Sequence, residues 1–174
     1  MLATVAVLQM NDDDMAEMIV SRTPEAHRLA TWILRDPVAA EDAVQEAALA
    51  AWKARRQLRD AGNPAGWFTK ILVNVCRDEL RRRGRRPTLL PQAGSTGGSA
   101  ERLAIRDEIG HAIARLTADE QIVIGLRFGR DLTVPQIAAQ TGIAEGTVKS
   151  RLHNSLEHLR SALAAERRVE GNAR

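Results

Sequence analysis

The chain has 174 residues, 44% of them hydrophobic and 27% charged, so it can build one domain or two small ones and is too apolar to be disordered throughout. Its single Cys76 excludes an internal disulfide, and no apolar run approaches the roughly 20 residues that cross a bilayer. The net charge of +3 hides an asymmetry: residues 1–60 hold 7 basic and 10 acidic side chains, 61–90 hold 7 and 2, and 91–174 hold 11 and 10. A concentrated basic surface beside an acidic N-terminal half predicts a polyanion at one place and a protein partner at another.

From the N-terminus, the apolar run Leu2 to Leu8 lacks a basic leader and meets Asn11-Asp-Asp-Asp14, unlike a secretory signal, which predicts a cytoplasmic protein without membrane insertion. Three helices are expected next, over about 24–35, 38–57 and 64–83, broken by Asp36-Pro37 and by Gly62-Asn63-Pro64. The second sets Val44, Ala48, Ala51 and Trp52 on one side and Asp42, Gln45, Glu46 and Lys53 around another. Taken alone, that acidic face reads as a solvated surface.

The third helix is expected to bury Trp67, Phe68, Ile71, Leu72, Val75 and Leu80, leaving Lys70, Asn74, Arg77, Asp78 and Arg81 outside. It runs into Arg82-Arg-Gly-Arg-Arg86. Six arginines and one lysine within seventeen residues fit the footprint of a phosphate backbone better than a merely solubilising surface. Trp67 and Phe68 are candidates for stacking on unpaired bases, but apolar helical neighbours favour core packing for both. Cys76, inside the same apolar helix, reads as a structural thiol.

Residues 85–100 are rich in Gly, Ser, Thr and Pro and should pack as neither helix nor strand, so they separate two domains. Four helices follow, over about 101–115, 118–128, 133–140 and 144–166. Thr117 with Glu120, and Thr133 with Gln136, each have capping-box spacing, and Pro135 lies in a first turn where a missing N–H costs nothing. Gly142 supplies a permissive backbone for a tight turn.

At roughly 100° per residue, Val148, Leu152, Leu156, Leu159 and Leu163 fall within an arc of about 80°, while Gly146, Lys149, Ser150, His153 and Asn154 occupy another of about 140°. A cation, a hydroxyl, an imidazole, an amide and a glycine on one face suit base edges and phosphates in a major groove. A short capped helix, a glycine turn and this longer helix make a helix-turn-helix DNA reader. With no alternating strand pattern, the fold class is all-α, two small bundles on a flexible tether.

An enzyme is disfavoured. His153 and His158 stand about 140° apart around a helix and share no face as a metal pair would, and His27 and His111 lack a ligand pattern. No phosphate-cradling glycine loop or nucleophile elbow occurs, so no catalytic residue, metal or cofactor is expected.

Three segments resemble a known family: Asp36-Pro-Val-Ala-Ala-Glu-Asp-Ala-Val-Gln-Glu46, then Gly66-Trp-Phe-Thr-Lys-Ile-Leu-Val-Asn74 with Arg77-Asp-Glu-Leu-Arg-Arg-Arg83, and Gly146-Thr-Val-Lys-Ser-Arg-Leu-His153. In this order they resemble the extracytoplasmic-function (ECF) sigma factors of bacterial RNA polymerase, in the sigma-70 family. The resemblance implies an N-terminal tail over 1–22, sigma region 2 over 23–86, a linker over 87–100 threading toward the polymerase active cleft, and sigma region 4 over 101–170. It implies a three-helix bundle in the first domain and a four-helix helix-turn-helix domain in the second.

The same resemblance implies roles. Asp42, Gln45 and Glu46 match the face that docks on the β′ clamp helices of core RNA polymerase, and region 4 would meet the β flap. The loop from about Gln57 to Ala65 resembles the element that captures a flipped minus-10 base, which an unpaired strand can present on edges hidden in a duplex. Asn63, Lys70, Asn74, Arg77 and Arg81 then face the minus-10 element, and Gly146, Thr147, Lys149, Ser150, His153 and Asn154 face the minus-35 element. Partners implied are core polymerase, double- and single-stranded promoter DNA and an anti-sigma factor. The chain departs from many relatives at Asn63-Pro-Ala-Gly66, at Ala144, a poor N-cap, and at Asn154, where a basic residue is frequent. A stand-alone regulator is the rival, because the Thr147-Val-Lys149 helix also resembles the LuxR-type output domain. The helical, basic N-terminal half argues against it.

Overall fold

In the computed structural model, residues 11–58, 63–84 and 100–172 are described. The helix α1 spans Asp12–Leu34, beginning well before the expected residue 24. Asn11 caps it, its Oδ1 accepting the Asp14 N–H at 2.7 Å, and Asp12, Asp13 and Asp14 place three carboxylates at the positive end of the helix dipole. The helix passes through Pro24, which removes one N–H; the carbonyl left over belongs to Val20, on the solvent face and 71% exposed. Arg35 ends it in the left-handed region, at φ 53°.

The second helix, α2, spans Pro37–Ala54 and continues as a 3-10 turn over Arg55–Gln57. Asp36 caps it through the N–H groups of Val38 and Ala39, at 3.0 and 3.1 Å. Its inner face is almost all alanine (Ala39, Ala40, Ala43, Ala47 and Ala51), which lets it lie close against its neighbours. The third, α3, spans Pro64–Arg83 and is capped by Asn63, whose Oδ1 accepts the Gly66 N–H at 2.8 Å. These three helices pack on one another around Met15, Leu29, Ile33, Phe68, Leu72 and Val73. Trp67, Ile71, Val75 and Leu80 are only half-buried, while Val73 and Cys76 are fully enclosed, so the buried stripe of α3 is rotated from the expected one.

Then come α4 (Ala100–Ala114), α5 (Ala118–Ile124), α6 (Val134–Thr141) and α7 (Glu145–Asn172). Thr117 and Glu120 form the expected capping box, with the Thr117 N–H donating to Glu120 Oε2 at 2.9 Å. The single helix expected over 118–128 instead widens into a π turn at Gly125–Gly129, closed by the Leu132 N–H on the Leu126 carbonyl at 3.1 Å. Expected features at 1–10, 59–62 and 85–99 (the apolar N-terminal run, most of the base-capture loop and the linker) lie outside the described residues. No strand occurs among the described residues, and none of their helices is long and apolar enough to cross a membrane.

The two bundles touch. The π turn lies on α1, α5 and α6 lie on α3, and Ile122, Val123, Leu126, Ile137 and Val148 join one apolar cluster with Leu29, Ile33 and Phe68.

Candidate nucleic-acid interface

The helix-turn-helix is built by α6 and α7. Gln136 Oε1 accepts both the Thr133 N–H, at 2.8 Å, and the Thr133 hydroxyl, at 2.9 Å, fixing where α6 starts. Gly142 makes the turn at φ 72°, a conformation that costs an L side chain roughly 1–2 kcal/mol. Ile137 and Val148, both at 0% exposure, lock the two helices together.

That packing turns Gly146, Thr147, Lys149, Ser150, His153 and Asn154 to solvent, all six on one open face. Nothing lies within 4 Å of where a Gly146 side chain would begin, so a partner's backbone can come close there. Ser150 donates to the Thr147 carbonyl at 3.1 Å, leaving its own oxygen free to accept. Lower on α7, Ser155 is fully buried and donates to the Arg151 carbonyl, a polar site within the apolar stripe that sequence periodicity missed.

On α3, Lys70, Asn74 and Arg81 are exposed, but Arg77 is not the free cation its spacing suggested. Its side chain is 16% exposed, donating to Asn74 Oδ1 at 2.8 Å and to Asp119 Oδ1 of α5 at 3.1 Å. Arg81 reaches the same carboxylate at 3.7 Å, as does Arg151 of α7 at 3.5 Å. Asp119 was not singled out from sequence; in the sequence it is only an acidic first-turn residue after Thr117.

The basic run also divides. Arg82 and Arg83 both pair with Glu79 of their own helix, and Arg83 also pairs with Asp36, the cap of α2, at 2.9 Å. Burial alone would raise Glu79 and Asp36, but the arginines, and for Asp36 the capping N–H groups, hold both carboxyls below their ordinary range. Arg83, 24% exposed, is therefore held by two carboxylates within the fold, whereas Arg82 stays 61% exposed beside one.

Asp42, Gln45 and Glu46 lie exposed on α2, away from the α3 cations that meet Asp119. Asp42 and Glu46 edge a groove of about 340 Å³ between α2 and α3, floored by Ala43 and Val75, with Glu79 and Arg82 on its far side. Leu49, 62% exposed, and Val38, 72% exposed, put apolar area on the same helix. An acidic face with apolar flanks suits a basic amphipathic partner. Asn63 uses one lone pair of its side-chain carbonyl as the α3 cap, which leaves its amide N–H2 for a ligand.

Cys76 is enclosed at 0% exposure, and burial, with the charge of Glu79 second, pushes its thiol up to about 12. No group of three or more His, Cys, Asp or Glu among the described residues is arranged to hold a metal.

Two helical bundles, one presenting the open face of a helix-turn-helix and the other an arginine-bearing helix, have the architecture of a DNA-binding protein. Comparison with known proteins agrees with this architecture. Sigma-70 region 2 matches residues 18–86, and Sigma-70, region 4 matches residues 112–161. The ECF RNA polymerase sigma factor SigL of Mycobacterium tuberculosis is 35% identical over 148 residues, spanning 78% of this chain and 81% of SigL. RNA polymerase sigma factor SigV of Bacillus subtilis is 28% identical over 149 residues, spanning 85% and 90% of the two chains. Among solved structures, sigma factor RpoE of Bartonella quintana, in complex with the anti-sigma factor NepR, shares the fold at a TM-score of 0.68 and 24% identity, over 87% of this chain and 98% of that one. CnrH, in complex with the cytosolic domain of CnrY, superposes at 0.62 with 21% identity, over 89% and 90%. The chain belongs to the extracytoplasmic-function group of the sigma-70 family, and it is a promoter-directing RNA polymerase sigma factor.

Proposed function

We propose that this sigma factor works through three faces. The α2 face of Asp42, Gln45 and Glu46 docks on the β′ clamp helices of core polymerase. The α3 face of Lys70, Asn74, Arg77 and Arg81, with Asn63 and the loop before it, holds the minus-10 element as the strands part. The α7 face of Gly146, Thr147, Lys149, Ser150, His153 and Asn154 reads the minus-35 element, with region 4 against the β flap.

The observation that carries this reading is the contrast within α7: Val148 is wholly buried while its neighbours Thr147 and Lys149 are exposed, which is the polarity a groove-reading helix requires. The acidic α2 face supports a separate protein contact, since carboxylates repel DNA phosphate. Binding energy rather than bond chemistry does the work, so the protein acts without a catalytic set, a cofactor or a metal. Its place of action is the cytoplasm, where core polymerase and promoter DNA are. The complexes of RpoE with NepR and of CnrH with CnrY support an anti-sigma factor as a further partner. The stand-alone regulator reading loses ground because sigma-70 region 2 matches 18–86, which a LuxR-type output domain does not need.

The test is reconstitution. Purified protein mixed with core polymerase should co-elute with it and support specific initiation from a cognate promoter mapped by transcript 5′ ends after overexpression. A chain that binds DNA tightly but never associates with core polymerase would return the reading to a stand-alone regulator.

A further inference from the structure

The cleft between α2 and α3 carries charge that the fold does not use up. On α2, Ala39, Asp42, Ala43 and Glu46 recur at helical spacing and form one stripe; on α3, Val75, Glu79 and Arg82 do the same. Between them the stripes enclose about 340 Å³. The floor is methyl groups, from Ala39, Ala43 and Val75, and the rims are charged. Five of the eight lining residues are ionic, whereas a site for a small molecule is mostly apolar, so one long charged side chain suits this cleft better than a metabolite.

The two rims differ in how their charges are met. On the α3 rim, one oxygen of Glu79 accepts from Arg83 at 2.7 Å and the other from Arg82, and Arg83 also reaches Asp36. On the α2 rim, Asp42 and Glu46 are exposed, and among the described residues no cation pairs with either. The cleft therefore offers two uncompensated carboxylates, one helical turn apart, above an aliphatic floor. An arginine side chain matches both parts: its methylene stem lies on alanine and valine, and its planar fork meets carboxylates with directed N–H groups where a lysine ammonium is a point charge.

We propose that this cleft is the socket for one arginine side chain of the β′ subunit of core polymerase, its guanidinium held by Asp42 and Glu46 and its stem lying on Ala43 and Val75, with Glu79 as a positioning residue that keeps Arg82 from repelling it. The proposal rests on the reading of the α2 face as the β′ docking site and extends that contact across the cleft onto α3. Arg82 is 61% exposed and Glu79 is its one carboxylate partner among the described residues, whereas Arg83 stays tied to Asp36 at 2.9 Å if Glu79 is neutralised. Loss of the Glu79 charge thus releases Arg82 against an incoming cation, and loss of the Arg82 charge removes that repulsion. The two substitutions act on core binding with opposite signs. A pair that served only to hold the fold would weaken binding, or leave it alone, whichever partner was lost.

The experiment titrates the fluorescently labelled full chain with purified core polymerase, without DNA, and calorimetry on each variant reports its fold. Glu79→Gln should weaken core binding about fivefold and Arg82→Gln should tighten it about threefold, the scale of one partly exposed charge pair, and the double variant should return to within about twofold of wild type. Val75→Phe fills the cleft without changing any charge and should weaken core binding at least as much as Glu79→Gln. An Arg82→Gln variant that binds core less tightly than wild type, or a Glu79→Gln defect that Arg82→Gln fails to relieve, would overturn the positioning role of Glu79. Normal core binding by a Val75→Phe chain that melts like wild type would overturn the socket itself and leave the cleft to another ligand; should that variant fold poorly, the three charge variants still decide. Charge reversal at Asp42 and Glu46 separates this proposal from the reading beneath it. If reversal weakens core binding while the cleft variants do not, the socket falls and the docking face stands. If reversal has no effect, the docking face falls and the guanidinium loses its carboxylates with it.

Discussion

Lys149 and Val148 are adjacent in α7 but should fail in opposite ways. Lys149 is exposed, so replacing it with alanine removes a charge and no packing; thermal stability should be unchanged. If its ammonium meets one promoter phosphate, the log–log salt slope of holoenzyme binding should become shallower by about 0.9. Between 50 and 200 mM salt, a fourfold range, the affinity deficit of Lys149→Ala should then shrink by about 3.5-fold. Val148→Ala instead removes two methyl groups from a site with no solvent exposure, costing about 2 kcal/mol by cavity formation and lowering the melting temperature of region 4. Filter-binding titrations with and without the minus-35 element, paired with calorimetry, separate these effects. A Lys149→Ala variant that melts early, or one whose salt slope equals that of wild type, would refute the assignment of this face.

Charge reversal at Asp42 and Glu46 together should weaken association with core polymerase at least tenfold, with minus-35 duplex binding by the free chain unchanged; intact core binding would remove the docking role from α2. Glu120, drawn up by burial, is held below the usual carboxylate range by the N–H and hydroxyl of Thr117 and by His158 at 2.9 Å. Since its folded value is the lower one, its contribution exists above the ordinary range and is lost as pH falls through the folded value. Glu120→Gln should therefore destabilise the chain at pH 7, and the difference should close below about pH 4 in denaturant titrations. With its thiol pushed to about 12 and fully enclosed, Cys76 should resist a disulfide reagent at pH 8 in the native protein and react at once in denaturant.

Local chemistry was the part of this fold that the sequence made plain. Asp36-Pro37, Asn63-Pro64, Thr117 with Glu120, and Gly142 act within three residues of themselves, and each appears where spacing put it. The start of α1 was misjudged because Pro24 reads as a boundary, whereas the Asn11 cap and three acidic residues carry the helix across it. The π turn was invisible for a different reason: Gly125 to Gly129 has ordinary helical periodicity, and its widening goes with packing against Trp32 and Ile33, some ninety residues earlier. The recognition face was legible because burial of Val148 and exposure of its neighbours follow from one helical period. The arginine face was only half legible: composition collects the cations but not their partners, and Glu79, Asp36 and Asp119 sort them into two groups.

That sorting bears on how a small sigma factor divides labour. Arg82 and Arg83 are bound within their own domain by carboxylates on the same helix or its neighbour, pairs that persist wherever region 4 goes. Arg77 and Arg81 are bound by a carboxylate on the other domain, a pair that lasts only while the domains touch. The chain thus has structural arginines and conditional ones on a single helix. Double-mutant cycles express the difference: coupling between Arg83 and Glu79 should be equal in the free chain and in the holoenzyme, whereas coupling between Arg77 and Asp119 should be present in the free chain and fall to zero once promoter DNA is engaged. Equal coupling of Arg77 and Asp119 in both states would mean that this ion pair belongs to the working complex, and that the promoter is held by Lys70 and Asn74 without it.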